Sequence, residues 1–373
     1  MRSKKLIILL VVLTMVMSSS VFSKKKDPVV QLAILLDTSG SMSGLIEQAK
    51  MQLWKIVNEM ATAKRGNRTP MLEVALYEYG KSSIPASEGY IRMLVPLTSD
   101  LDRISEELFK LRTNGGSEFC GMVIDKAVRE LTWNKSNKEY KVIFIAGNEP
   151  FTQGSVDYKN SCKSAITKGI IVNTIFCGPF QTGVNSKWKD GADISDGSYM
   201  NIDQNRKIVH ISAPQDKEII RLGKALNKTY ISYGKKGAEM KKRQEAQDLN
   251  AGSLSPSVMV QRSAVKASKQ YTNTSWDLVD ADKEGKVKVE EIAEEELPAE
   301  MKKMSVDEKK DFIKMKSRER SEIQKKIQVL KKEREKYVKS KRVEMSKDKT
   351  LDDAIIEALK KQAEKKKYKF DKK

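Results

Sequence analysis

Val29-Val30-Gln31-Leu32-Ala33-Ile34-Leu35-Leu36, followed directly by Asp37-Thr38-Ser39-Gly40-Ser41, is the stretch whose reading decides the fold. Eight residues, nearly all β-branched or aliphatic, form the pattern of a strand covered on both faces, as in a parallel sheet. The chain then turns through small polar residues. One carboxylate and two hydroxyls therefore stand at the carboxyl end of that strand, the edge at which open α/β sheets bind ligands. These oxygens suit a hard divalent cation.

Outward from this strand the pattern alternates. Leu45, Ala49, Leu53, Ile56 and Met60 recur at helical spacing between Gly44 and Arg65. Met71 to Tyr79 and Ile91 to Leu97 read as strands, and Asp100 is a good N-cap for a helix reaching Leu111. Thr113-Asn114-Gly115-Gly116-Ser117-Glu118-Phe119 forms a loop before a helix over Cys120 to Trp133. A buried strand at Lys141 to Ala146, a helix near Tyr158 to Lys168 and a strand from Gly169 to Cys177 follow. Strands alternating with helices predict an α/β fold: a doubly wound, mostly parallel, Rossmann-like sheet flanked by helices.

Past Gly234 the strand pattern stops, and a mainly α-helical basic C-terminal region follows. Residues 235–275 read as a linker with short helices, broken between Ala251 and Pro256, and residues 276–373 as a charged helical region. Ile323, Ile327, Leu330 and Tyr337 make a short apolar seam that Lys316, Arg320 and Arg334 interrupt. Without sustained heptads, packing within the chain is expected rather than a long coiled coil. Ile355, Leu359 and Ala363 share one face of a last helix that starts near Thr350.

Residues 1–23 have the layout of a secretory signal: Arg2, Lys4 and Lys5, the apolar run Leu6 to Met17, and small residues before a cut after Ser23. That run falls short of the roughly 20 residues that span a bilayer. The chain is expected to be exported, and periplasmic or secreted if it is bacterial. The net charge of +20 is uneven, with +6 over residues 24–234 and +11 over residues 235–373. A lysine-rich tail of this kind suits contact with an anionic envelope surface, while export argues against nucleic acid as a partner. Three cysteines exclude a disulfide scaffold; small buried hydrophobes are expected, with a Cys162–Cys177 bridge as the alternative. The single histidine, His210, lies in an apolar run and excludes His-rich zinc sites.

With the Asp37 loop, the loop before Cys120 and the turn after Ala146 expected at one edge of the sheet, residues 28–234 resemble the von Willebrand factor type A (VWA) domain. Asp37, Ser39 and Ser41 match the D-x-S-x-S loop of its metal-ion-dependent adhesion site, and Gly115-Gly116-Ser117 resembles its Gly-Gly-Thr. The resemblance implies Mg²⁺ (or Mn²⁺) held by Asp37, Ser39, Ser41 and Ser117, with an acidic residue of a protein partner completing the shell. One element departs: Gly147 stands where the family has an aspartate, which implies weaker binding. Glu118, Asn148 and Glu149 are the available substitutes. The competing expectation is a metal-free loop in which Ser41 or Ser43 caps the next helix.

Asp280, Asp282, Gly285 and Glu291 fit four positions of a calcium-binding EF-hand loop, but Glu284, Lys286 and Lys288 do not suit it, and a polar turn is the better reading. A hydrolase would need a general base, a second metal carboxylate or a paired nucleophile, none of which the pattern supplies. The sequence thus points to an exported, non-catalytic interaction protein that uses a divalent metal. The alternative is a metal-independent envelope-associated scaffold whose basic tail binds anionic surfaces or an acidic partner.

Overall fold

The computed structural model describes residues 27–202, 211–345 and 351–370. The expected signal segment and His210 lie outside the described residues. From the amino end the chain runs β1 (Val29–Asp37), α1 (Ser43–Met60), β2 (Ala63–Lys64), β3 (Met71–Tyr79), β4 (Ile91–Thr98), α2 (Leu101–Lys110), α3 (Cys120–Glu130) and β5 (Tyr140–Gly147). It continues through α4 (Tyr158–Thr167), β6 (Ile170–Cys177), α5 (Phe180–Asn185), α6 (Trp188–Ile194), β7 (Tyr199–Ile202) and α7 (Asp216–Asn227). The C-terminal part holds α8 (Gly237–Leu254), α9 (Pro256–Lys266), α10 (Leu278–Lys283), α11 (Val306–Met345), α12 (Leu351–Lys365) and β8 (Lys369–Phe370).

Six strands form one sheet in the order β4-β3-β1-β5-β6-β7. All neighbours are parallel except β4, which runs antiparallel on β3 at one edge. β1 lies inside the sheet, in register from Val29 opposite Met71 to Asp37 opposite Tyr79. Its alternate residues feed two cores. Leu32 and Leu36 pack in the cluster that contains Leu45, Leu53 and Trp54 of α1, while Ala33 and Leu35 face Val123, Ile124 and Ala127 of α3. Because the central strands β1, β5 and β6 are buried along nearly their whole length, polar side chains gather at their carboxyl ends.

Residues 235–275 hold two helices with their break inside the expected Ala251–Pro256 stretch. α8 and α9 are 18 and 11 residues long, separated by a single residue, Ser255, whose side chain accepts from Val258 N while Pro256 opens the next helix. Val258, Met259, Ala264 and Val265 join the same core as α1. The surprise comes from charge: Arg262 is fully buried, with Nη1 2.7 Å from Asp102, Nε 2.7 Å from Asp248 and its guanidinium 4.6 Å from the Trp54 ring centre. A basic residue scored as exposed hides the apolar face of such a helix from a pattern reading.

The same effect explains the interrupted seam of α11. Ile323 and Ile327 sit in the main core, as packing within the chain requires. Arg320 is buried and binds Asp277 at 2.6 Å and Asp280 at 2.8 Å, and Arg334 binds Asp216 at 2.5 Å. Asp280 and Asp282 lie on α10 rather than on a calcium loop, and Asp280 is already engaged by Arg320 and by the Asn273 N–H. α12 returns to the sheet: Ile355, Leu359 and Ala363 are buried, Tyr140 Oη donates to Gln362 Oε1 at 2.9 Å, and β8 pairs with β2. Cys120, Cys162 and Cys177 are buried and free. No described helix is long and apolar enough to cross a membrane.

Candidate metal centre

β1 delivers Asp37 fully buried to the carboxyl edge of the sheet. The loop that follows folds back on its own carboxylate: Ser39 N–H donates to Asp37 Oδ1 at 2.7 Å, and the Ser39 hydroxyl is 3.4 Å from that of Ser41. Met42 holds the cap position of α1 and makes no side-chain cap bond. The Ser41 hydroxyl instead accepts from Asn148 Nδ2, in the loop after β5, at 3.1 Å.

The loop before α3 is locked to the first by its backbone. Asn114 N–H donates to Thr38 O at 2.9 Å, and Ser82 N–H to Gly115 O. Gly116 must be glycine here, since a Cβ would lie 2.5 Å from Gly80 O. The loop after β5 is fixed from behind by Trp188 Nε1, which donates to Glu149 O at 2.8 Å. Three segments distant in sequence thus meet around Asp37.

The family model described as von Willebrand factor type A domain matches residues 31–209, the segment that carries β1, all three loops and the sheet through β7. The chain contains a VWA domain. Among solved structures it is similar to BatB from Bacteroides thetaiotaomicron (18% identity, 47% of this chain and 90% of that one, TM-score 0.36). It is also similar to the SpRpn10 VWA domain (15%, 47% and 88%, 0.35) and to the pilus adhesin SpaC from Lactobacillus rhamnosus GG (14%, 48% and 28%, 0.35). No curated protein matches the chain.

Against the VWA pattern, the loops bring Asp37, Ser39 and Ser41 together, whereas Ser117 is half-buried at the margin. The following residue, Glu118, is the one that turns inward: it is buried, and the Ser39 side chain acts to lower the pKa of both its carboxyl and that of Asp37. The departure at Gly147 has a steric cause. Tyr79 Oη donates to Ala146 O at 2.9 Å, and a Cβ at Gly147 would lie 2.6 Å from Tyr79 Oη and 3.0 Å from Asp37 Oδ2. A buried tyrosine occupies the space that a third-loop side chain needs. In the sequence, Tyr79 reads only as the end of a strand, so its effect on Gly147 becomes visible once β3 and β5 are placed on either side of β1.

The oxygen set fits a divalent cation on one observation above all. Asp37 Oδ2 is buried without a hydrogen-bond partner among the described residues, and so is Asn148 Oδ1. A buried acceptor left unpaired costs about 1–3 kcal/mol, more if charged. Burial, reinforced by repulsion from Glu118 and Glu149 and opposed by the bonds from Ser39, pushes the Asp37 carboxyl up to about 7. Burial also raises Glu118, with Glu149 adding to it. Among the described residues no three His, Cys, Asp or Glu side chains form a metal cluster. Any cation here would be shared between two carboxylates, serine hydroxyls and an amide oxygen, a hard-oxygen set that suits Mg²⁺ or Mn²⁺.

Proposed function

We propose that this is an exported, non-catalytic interaction protein whose VWA domain grips a protein partner through a divalent cation at the Asp37 loop. VWA domains generally mediate protein–protein interaction, and the match over residues 31–209 supports that coarser statement. The finer one rests on the unpartnered, fully buried Asp37 oxygen. Asp37, Ser39 and Ser41 would hold Mg²⁺ or Mn²⁺, with the half-buried Ser117 at the margin. The bound ion supplies a directed attraction for a carboxylate of the partner. The protein's own residues do the rest: the Ser39 N–H orients Asp37, Asn148 orients Ser41, and the Gly115–Gly116 turn holds the loop edges together.

The reading is tested with a pair of peptides differing only by glutamate or glutamine, titrated in the presence of Mg²⁺ and then of chelator. Glutamate-selective binding that chelator and Asp37→Ala both abolish is expected. Selective binding that persists in chelator would overturn the metal mechanism.

A second reading has its own support. Lys325, Lys326, Lys332, Lys336 and Lys339 are exposed along α11, which suits an anionic envelope surface. Such binding would fall steeply between low and high ionic strength and ignore chelator.

A further inference from the structure

We propose that Glu118 is the second carboxylate of the metal centre, supplying the charge that the third loop lacks at Gly147. This rests on the metal reading above and goes beyond it by naming the residue that restores the site. At Gly147 the loop after β5 has no room for a carboxylate, because Tyr79 Oη and Asp37 fill the position where a Cβ would sit. In the same loop the Asn148 amide is held by Ser41 and leaves its Oδ1 buried and unpartnered.

Glu118 approaches from the other side. A Cβ placed on Gly80, the glycine that ends β3 at φ +77°, would lie 2.8 Å from Asp37 Oδ1 and 2.8 Å from Glu118 Cγ. The two acidic side chains therefore close over one bare glycine. The Glu118 backbone is anchored as well, its N–H donating to Gln153 Oε1 at 2.5 Å. Among the described residues no lysine or arginine forms an ion pair with Glu118 or Asp37, although the chain carries 70 such cations and pairs its other deeply buried carboxylates with them.

Two adjacent buried carboxylates without a counter-ion are costly in their ionised form unless a cation joins them. The independent pointer to that cation is Asp37 Oδ2, fully buried and unpartnered. Serine replaces the family's threonine in the same loop, so the charge that the third loop gives up reappears one residue after the hydroxyl that the motif names.

The test is Mn²⁺ titration, read from the loss of the free-ion electron paramagnetic resonance signal, on the full chain without its first 23 residues. Wild type, Asp37→Ala, Glu118→Gln and Glu149→Gln are compared, and circular dichroism confirms that each is folded. Glu118→Gln keeps shape and hydrogen-bonding capacity, and Glu149→Gln removes a neighbouring charge of the same sign. We expect saturable binding by wild type, none by Asp37→Ala, a loss of about tenfold or more in Glu118→Gln, and about threefold or less in Glu149→Gln. Wild-type binding with Glu118→Gln no weaker than Glu149→Gln would overturn the assignment and leave the metal reading standing. Absence of wild-type binding at millimolar Mn²⁺ would overturn both.

Discussion

Asp37 and Asp248 are both deeply buried carboxylates, one in the loop edge of the VWA domain and one in the helical layer against it, and they are treated in opposite ways. Around Asp248, burial alone would raise the carboxyl, but Lys266 at 2.6 Å and Arg262 at 2.7 Å outweigh it and hold the group below its usual range. Around Asp37 no lysine or arginine among the described residues answers the burial, and the carboxyl is pushed up to about 7. The helical layer spends its buried charge on holding elements together: Arg262 ties α9 to α2 and α8, and Arg320 ties α11 to Asp277 and Asp280. The loop edge leaves its charge uncompensated. Buried charge is paired in the helical layer and left open at the loop edge, where the proposed external cation would bind.

The largest break in this comparison is expected from Arg262→Ala. It strands Asp102 and Asp248 and removes the cation over Trp54, so chemical denaturation should report a loss of about 3–5 kcal/mol. It would also test whether α8 and α9 are part of the fold's core; a loss below about 1 kcal/mol would mean that they are merely attached.

Next is the pH dependence of Asp37 itself. Its folded value, about 7, lies above the ordinary 3.8. Without metal, its contribution to stability is therefore fully present below about 3.8 and is lost as pH rises through about 7. Asp37→Asn should match wild type near pH 3, begin to exceed it by pH 5, and exceed it at pH 8 by about 2–4 kcal/mol in chelator, an advantage that Mg²⁺ diminishes by binding wild type alone. Equal pH profiles for the two proteins would contradict the assignment of Asp37 as an uncompensated carboxylate.

Smaller is Gly147→Asp, which restores the family's residue on a backbone where Tyr79 stands in the way; overpacking should cost about 1–3 kcal/mol. Adding Tyr79→Phe should recover part of that loss by removing the obstructing oxygen, measurable as a partial return of the denaturation midpoint. The smallest effect belongs to Arg221→Ala. Its partner Glu218 is on the exposed side of α7, and the melting temperature should not move.

The sheet was legible because its strands are covered on both faces and read as continuous apolar runs: β3 coincides with the expected Met71–Tyr79, and β5 and β6 differ from expectation by a residue at their ends. The Asp37 loop was legible for the same reason, as small polar residues break such a run abruptly. The helical layer was harder. Arg262, Arg320 and Arg334 look like surface residues until their carboxylates, at distant positions, are placed beside them. β7 is four residues long and joins the sheet through β6, with little periodicity of its own. At the candidate metal centre, the hydroxyl motif could be read from spacing. The inward turn of Glu118 and the block at Gly147 depend on Gly80 and Tyr79, whose roles exist only in three dimensions.

The most direct test of the central claim is calorimetric titration of Mg²⁺ into the full chain without residues 1–23, beside Asp37→Ala. Residues past 234 belong in the sample because α8, α9 and α12 complete the core around α1. Saturable binding that the substitution abolishes, tighter at pH 8 than at pH 5, is the predicted result. Binding that Asp37→Ala leaves unchanged, or no binding by either protein at pH 8, would contradict it.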